Sequence, residues 1–172
     1  MTTIYTDILN YWLACWKGAV CAGLLGMLIG THIYPRLKPC ISFYLLFLAD
    51  GIFLYYLLYV TLFSRIPGSR REVALLPFMG VEFMSGDFHY LMENILLFIP
   101  FGFLSAKTLA MCGKTCGIKA VLLASFMTSV SVEVLQYLSA CGKSETEDII
   151  TNVLGAIIGY LVAKFVFHSV RK

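Results

Sequence analysis

Charged side chains are scarce in this chain. They make up 13% of its 172 residues, against about 25% in a soluble domain. That scarcity excludes an ordinary water-facing surface. The charges that exist form no basic stripe with interleaved aromatics, so nothing points to nucleic acid. The first ten residues hold no Lys or Arg, so no basic n-region is present and no signal peptide is expected. A Gly-rich phosphate loop, a GxSxG elbow and an HExxH motif are all missing. So are internal repeats and low-complexity linkers. The six cysteines make no disulfide framework. Cys15 and Cys21 share one apolar run, where a thiol behaves as a small apolar group. Cys112 and Cys116 share a short basic loop, where a metal site or redox pair is a minor alternative. Asp87, His89 and Glu93 do not have strong ligand spacing, and His89 reads as a surface histidine. No cofactor and no metal is expected.

What is abundant is apolar. Hydrophobic residues reach 59% and aromatic residues 15%, mostly Phe and Tyr. The mean hydropathy is +0.83. Such a chain is an integral membrane protein, with 1–172 as one domain. A spanning helix needs about 20 mostly apolar residues. Five segments qualify, near Tyr11–Ile33, Ile41–Phe63, Leu91–Met111, Gly117–Leu138 and Asp148–Phe167. Tyr34-Pro35-Arg36 and Lys38-Pro39 separate the first two. The long connection Ser64–Tyr90 carries the apolar piece Val73–Met84, too short to span and interrupted by Pro77 and Glu82. The expected fold is an all-α membrane bundle of five transmembrane helices, with a re-entrant or interfacial segment in that second connection.

Five spans put the termini on opposite sides. One side holds Lys17, Arg65, Arg70, Arg71 and Lys143. The other holds Arg36, Lys38, Lys107, Lys114, Lys119, Lys164, Arg171 and Lys172. The positive-inside rule makes the second side cytoplasmic, which places the N-terminus outside and the C-terminus inside. The inner basic residues need no more than topology and anionic-lipid contact to explain them.

Within the spans, polar residues cost free energy and invite a functional reading. On the fourth span Ser125, Ser129, Glu133 and Gln136 are spaced 4, 4 and 3, so they form one stripe. On the fifth, Asp148, Asn152, Gly155 and Gly159 are spaced 4, 3 and 4, again on one face. Gly155 to Gly159 is a GxxxG motif, and Ala163 continues the row of small residues. The short link Ser139–Glu147 makes these spans antiparallel neighbours, so Glu133 and Gln136 can meet Asp148 and Asn152 at similar depth. The bland alternative is that these groups only lock the helices together. The third span adds Glu93 and Asn94 at one end, with Pro100 and Gly102 near its middle. Pro100 cannot donate to the Leu96 carbonyl, which predicts a kink and a freed acceptor. Asp50, deeper in the second span, is either a proton carrier or an acid bonded to a nearby carbonyl, the second being favoured.

Several of these pieces recur together in one family. Leu75-Leu76-Pro77-Phe78 is followed by Glu93-Asn94-Ile95-Leu96-Leu97-Phe98-Ile99-Pro100-Phe101-Gly102. Then come Ser131-Val132-Glu133-Val134-Leu135-Gln136 and the stretch from Gly142 through Asn152 to Gly155. In order and spacing the chain resembles the VanZ family of small bacterial membrane proteins, over roughly Arg71–Tyr160. Each piece alone is a weak signal; the series is specific. Many family members carry an arginine in the loop before the Asp-x3-Asn motif and an acid pair at its end. Here the loop reads Gly142-Lys143-Ser144-Glu145-Thr146-Glu147-Asp148, with Lys143 as the displaced replacement.

The resemblance implies low-level resistance to lipoglycopeptide-type antibiotics such as teicoplanin, exerted at the outer face of the cell membrane without D-Ala-D-lactate chemistry. On that footing the expected pocket is Asn94, Glu133, Gln136, Asp148 and Asn152, shaped by Pro100, Gly102, Gly155 and Gly159. Its ligand would be a lipid headgroup, a lipid-linked wall precursor or the drug's own polar part. Two other classes stay open. An intramembrane enzyme would use Glu133 or Asp148 as acid or base on a lipid-linked envelope substrate. A structural helper of an envelope complex would rely on the lipid-facing surface of the first two spans.

Overall fold

The computed structural model describes residues 2–33, 41–78, 86–111 and 117–169. Cys40, Cys112, Cys116 and Glu82 lie outside these residues, as do the Pro35–Pro39 break, Lys114 and the C-terminal Arg171 and Lys172. The side chain of Asp87 is outside them too.

Five long helices carry the chain: α1 (Thr2–Ile33), α2 (Ile41–Leu58), α3 (Gly86–Met111), α4 (Ile118–Ser139) and α5 (Thr146–Ser169). All five are long and apolar enough to cross a membrane, over Leu9–His32, Ile41–Phe63, Phe88–Met111, Ile118–Ser139 and Thr146–Val166. The spans expected from hydropathy therefore appear with ends shifted by a few residues, as capping and local packing dictate. A core of Leu57, Phe98, Val121, Val132 and Ala156 joins α2 to the last three helices.

Small residues set how closely the helices approach. A Cβ at Gly155 or Gly159 would run into the backbone carbonyls of Ile95 or Ile99 on α3. Reciprocally, a Cβ at Gly102 would meet the Ala156 carbonyl on α5. α3 and α5 thus pack backbone to backbone, the geometry that small-xxx-small rows permit. The same device joins α1 to α2, where Gly26 faces the Phe47 carbonyl and Gly51 faces that of Ala22. No recognisable sequence motif marks these two helices.

Two features interrupt the all-helical pattern. α2 continues past Leu58 into a wider π-helical segment over Tyr59–Phe63, with the Ser64 N–H bonding to the Tyr59 carbonyl at 2.9 Å. The second connection, whose Val73–Met84 piece is expected to be re-entrant or interfacial, holds a short strand, β1 (Arg70–Ala74). It pairs in parallel with β2 (Cys141–Glu145), in the register Arg70 with Cys141 through Ala74 with Glu145. Residues 79–85 of that connection lie outside the description.

Gly68, at φ 78, turns the chain into β1, a conformation that glycine adopts without steric cost. Gly68 and Arg70 donate their N–H groups to the carbonyls of Ser139 and Ala140, at 3.1 and 2.9 Å. Ala140 ends α4 in the left-handed region, and its own N–H caps the Tyr137 carbonyl. Further along the connection, the Phe78 N–H donates to Glu147 Oε2 at 2.7 Å. These bonds lay the two-stranded sheet across one end of the bundle, where α3 and α5 begin and α2 and α4 finish.

Candidate functional site

A cavity of about 860 Å³ opens beneath the sheet. Its walls come from four directions. α2 supplies Phe53, Tyr56, Val60 and Thr61; α3 supplies Glu93, Asn94, Leu97 and Pro100. The strands supply Arg70, Gly142, Lys143 and Glu145, and α5 supplies Asp148. Tyr11 from α1 and Arg65 from the connection also line it.

Each polar residue picked out in the sequence has a definite place. Asn94 and Asp148 face the cavity together, with Asn94 Nδ2 donating to Asp148 Oδ1 at 2.8 Å. Pro100 lies in the cavity wall within an unbroken α3. Glu133, Gln136 and Asn152 stand behind that wall and are buried. The Glu133 carboxylate accepts the Glu145 N–H at 3.0 Å, while its carbonyl accepts the Ser144 hydroxyl at 2.9 Å. One residue of α4 therefore anchors β2 twice. Gln136 Nε2 donates to the Thr61 carbonyl at 2.9 Å. That acceptor belongs to the π-helical turn, whose widened hydrogen-bond pattern marks many functional sites. Asn152 Nδ2 donates to Ser129 Oγ at 2.8 Å, and Ser129 is fully buried. Glu133 and Gln136 thus do not hydrogen-bond to Asp148 or Asn152, although the two carboxylates remain close enough to interact electrostatically. Gln136 Oε1 and Asn152 Oδ1 are buried and unpaired among the described residues, leaving two acceptors behind the cavity wall.

The sheet is part of the site. Side chains alternate along a strand, so Arg70 and Glu72 share a face with Lys143 and Glu145. That face carries two ion pairs, Arg70–Glu72 at 2.7 Å and Lys143–Glu145. The Arg70 guanidinium holds the Glu72 carboxyl below its usual range, and Glu145 holds the Lys143 ammonium above its own. On the other face Ser144 bonds to α4, and Arg71 lies 5.6 Å over the Tyr137 ring. In the sequence Arg65 and Arg70 read as topology signals alone. Their spacing from Gly142 and Lys143 along the chain carries no local signal of a shared wall.

Asp50 lies away from this cavity. Its carboxylate accepts the Thr108 hydroxyl, which ties α2 to α3, so its partner is a side-chain hydroxyl where a carbonyl was expected.

Residues 42–167 match the family described as VanZ/LLP1. The chain belongs to that family. It is a multi-pass membrane protein with five helices fit to span. Protein VanZ of Enterococcus faecium is 30% identical over 90 residues, which cover 52% of this chain and 51% of that protein. The match thus spans about half the length of that curated relative. No solved structure matches. The cavity, the sheet and the Asn94–Asp148 contact all fall inside the VanZ/LLP1 region; Tyr11 is the lining residue outside it.

Proposed function

We propose that this chain is a VanZ-type protein that protects a bacterial cell from lipid-tailed glycopeptides of the teicoplanin kind. Protection would come from binding at the outer face of the membrane. Membership of the VanZ/LLP1 family and the likeness to Protein VanZ support the activity. The sheet-covered cavity, with Asn94 and Asp148 joined in its wall, is the observation that carries the binding reading. The ligand would be a lipid headgroup, a lipid-linked wall precursor or the polar part of the drug. In this reading the sheet end faces outward, because Lys107, Lys119 and Lys164 sit toward the opposite end and mark it as cytoplasmic.

The site residues divide by role. Asn94 and Asp148 meet the ligand. Glu133, Gln136 and Asn152 hold the wall, and Gly102, Gly155 and Gly159 let α3 and α5 close around it. An intramembrane acid–base enzyme is the second reading, favoured by one observation: the Asp148 carboxylate in the cavity wall acts electrostatically on Glu133 behind it. Against it stands the engagement of Glu133 with the backbone of β2, which suits an anchor better than a mobile proton donor.

The test is susceptibility to teicoplanin and to vancomycin in a sensitive Gram-positive host expressing the chain at a verified membrane level. Selective protection against the lipid-tailed drug supports the reading. Absence of protection by well-expressed wild type sinks it.

A further inference from the structure

The cavity is amphipathic along its length. Its deep end is set by Phe53 and Pro100, with Leu96 and Leu97 beside them. Phe53 precedes Phe63, the end of the π-helical segment, by ten residues, which puts it about 15 Å below Phe63 at roughly 1.5 Å per residue. That is near half the hydrocarbon thickness of a bilayer, about 30 Å. The shallow end is polar, with Arg65, Ser69, Gly142 and Lys143. A molecule that fills both ends must itself be amphiphilic.

The cations of the shallow end are not alike. Arg70 is paired with Glu72, and Lys143 with Glu145. Among the described residues Arg65 makes no ion pair and donates no side-chain hydrogen bond, although it acts electrostatically on both Glu133 and Asp148. Its position is shaped by β2. A Cβ at residue 142 would lie 2.7 Å from Arg65 Nη1, so the strand is reduced to glycine where the guanidinium crosses it. A guanidinium with open donors matches phosphate oxygens in geometry and charge.

The acids limit what else the head can carry. Glu93, Glu145 and Asp148 line the same cavity as Arg65, Arg70 and Lys143, so the formal charges of the wall balance. A polyanion would meet as much repulsion as attraction. Asp148 gives one oxygen to Asn94 and retains lone pairs for further donors. The volume of about 860 Å³ is of the size that encloses a drug-sized molecule, enough for a head and the upper part of a chain.

We infer that the cavity seats a zwitterionic phospholipid-type amphiphile, with its phosphate on Arg65, its ammonium toward Asp148 and its chain against Phe53, Leu97 and Pro100. The inference rests on the binding reading of the site and names the class of ligand.

Native mass spectrometry of the purified full chain in mild detergent tests it. The probes are dioleoyl phosphatidylethanolamine, dioleoyl phosphatidylglycerol, dioleoylglycerol and inorganic phosphate. Phosphatidylethanolamine is expected to bind most tightly and at one site. Arg65→Gln should weaken it about tenfold or more, the scale of a lost charge-assisted contact. Gly142→Ala should weaken it too, because it pushes the guanidinium tip aside while leaving Arg65 in the chain. Asp148→Asn should narrow the preference for phosphatidylethanolamine over phosphatidylglycerol. Each variant is compared at matched thermal stability. Equal binding of dioleoylglycerol, or no effect of Arg65→Gln, overturns the phosphate seat. Equal binding of phosphatidylglycerol by the wild type overturns the zwitterionic head. Displacement of lipid by inorganic phosphate alone overturns the amphiphile in favour of a free anion. Drug protection without lipid retention overturns this inference and leaves the resistance reading standing; lipid retention without protection does the reverse.

Discussion

Gln136 reaches from α4 to the backbone of α2, its Nε2 donating to the Thr61 carbonyl 2.9 Å away. Both residues are buried, so this bond has no solvent substitute. Gln136→Leu keeps the bulk and removes the donor. It should lower stability by about 1–3 kcal/mol, the cost of a buried group left unpaired. Thermal unfolding in detergent checks this, and an unchanged midpoint would show that the π-helical turn does not depend on Gln136.

Asn94 and Asp148 are joined across α3 and α5. Asp148→Asn preserves a hydrogen-bonding side chain in the same volume and should leave the fold intact. Drug protection should nevertheless fall sharply, because the charge facing the cavity is lost. Asn94→Ala should reduce both protection and stability, the latter by about 1 kcal/mol. Susceptibility assays beside melting curves separate the two effects.

Glu133 separates the binding reading from the enzymatic one. Glu133→Gln retains an oxygen to accept the Glu145 N–H, so β2 should stay anchored. A binder should then keep most of its protection. Near-complete loss with an intact fold would favour acid–base chemistry. Glu133→Ala removes the acceptor and should loosen the sheet, seen as faster amide exchange over residues 141–145.

Gly159 faces the backbone carbonyl of Ile99, which cannot swing away as a flexible side-chain tip can. Gly159→Ala should cost about 1–3 kcal/mol through overpacking. Gly117→Ala is the control, because a Cβ there meets nothing among the described residues. Equal melting temperatures for the two variants would contradict backbone-to-backbone packing of α3 and α5.

Membrane orientation has a direct readout. With Ser69→Cys in the sheet-end connection, intact cells should react with an impermeant maleimide more than the parent chain does. With Lys164→Cys near the other end, they should react only after permeabilisation. The reverse pattern would turn the protein over and place the cavity in the cytoplasmic leaflet.

The five spans were legible because each is an apolar run long enough to stand out against few charges. The polar stripe of α4 was legible because helical periodicity collects Ser125, Ser129, Glu133 and Gln136 on one face, and all four are buried. The partners of that stripe were not. Gln136 binds a carbonyl of the π-helical turn, and Glu133 binds the backbone of β2. A backbone partner leaves no trace in residue identity. The sheet was equally hidden, because Arg70–Ala74 and Cys141–Glu145 are short, mostly polar, and separated by two helices. Arg65 reads as a topology signal in the sequence and as part of the cavity wall in three dimensions.

The parallel pairing of β1 with β2 also fixes an order of events during synthesis. Parallel strands need a crossover, and here it consists of α3 and α4, both membrane spans. β1 emerges from the ribosome with no partner and waits while two more helices are inserted into the lipid. Only then does β2 arrive, on the same side of the bilayer, to complete the ladder. Such distant pairing is slow to form. A chain halted before Glu145 would hold most of the cavity wall with nothing closing its mouth.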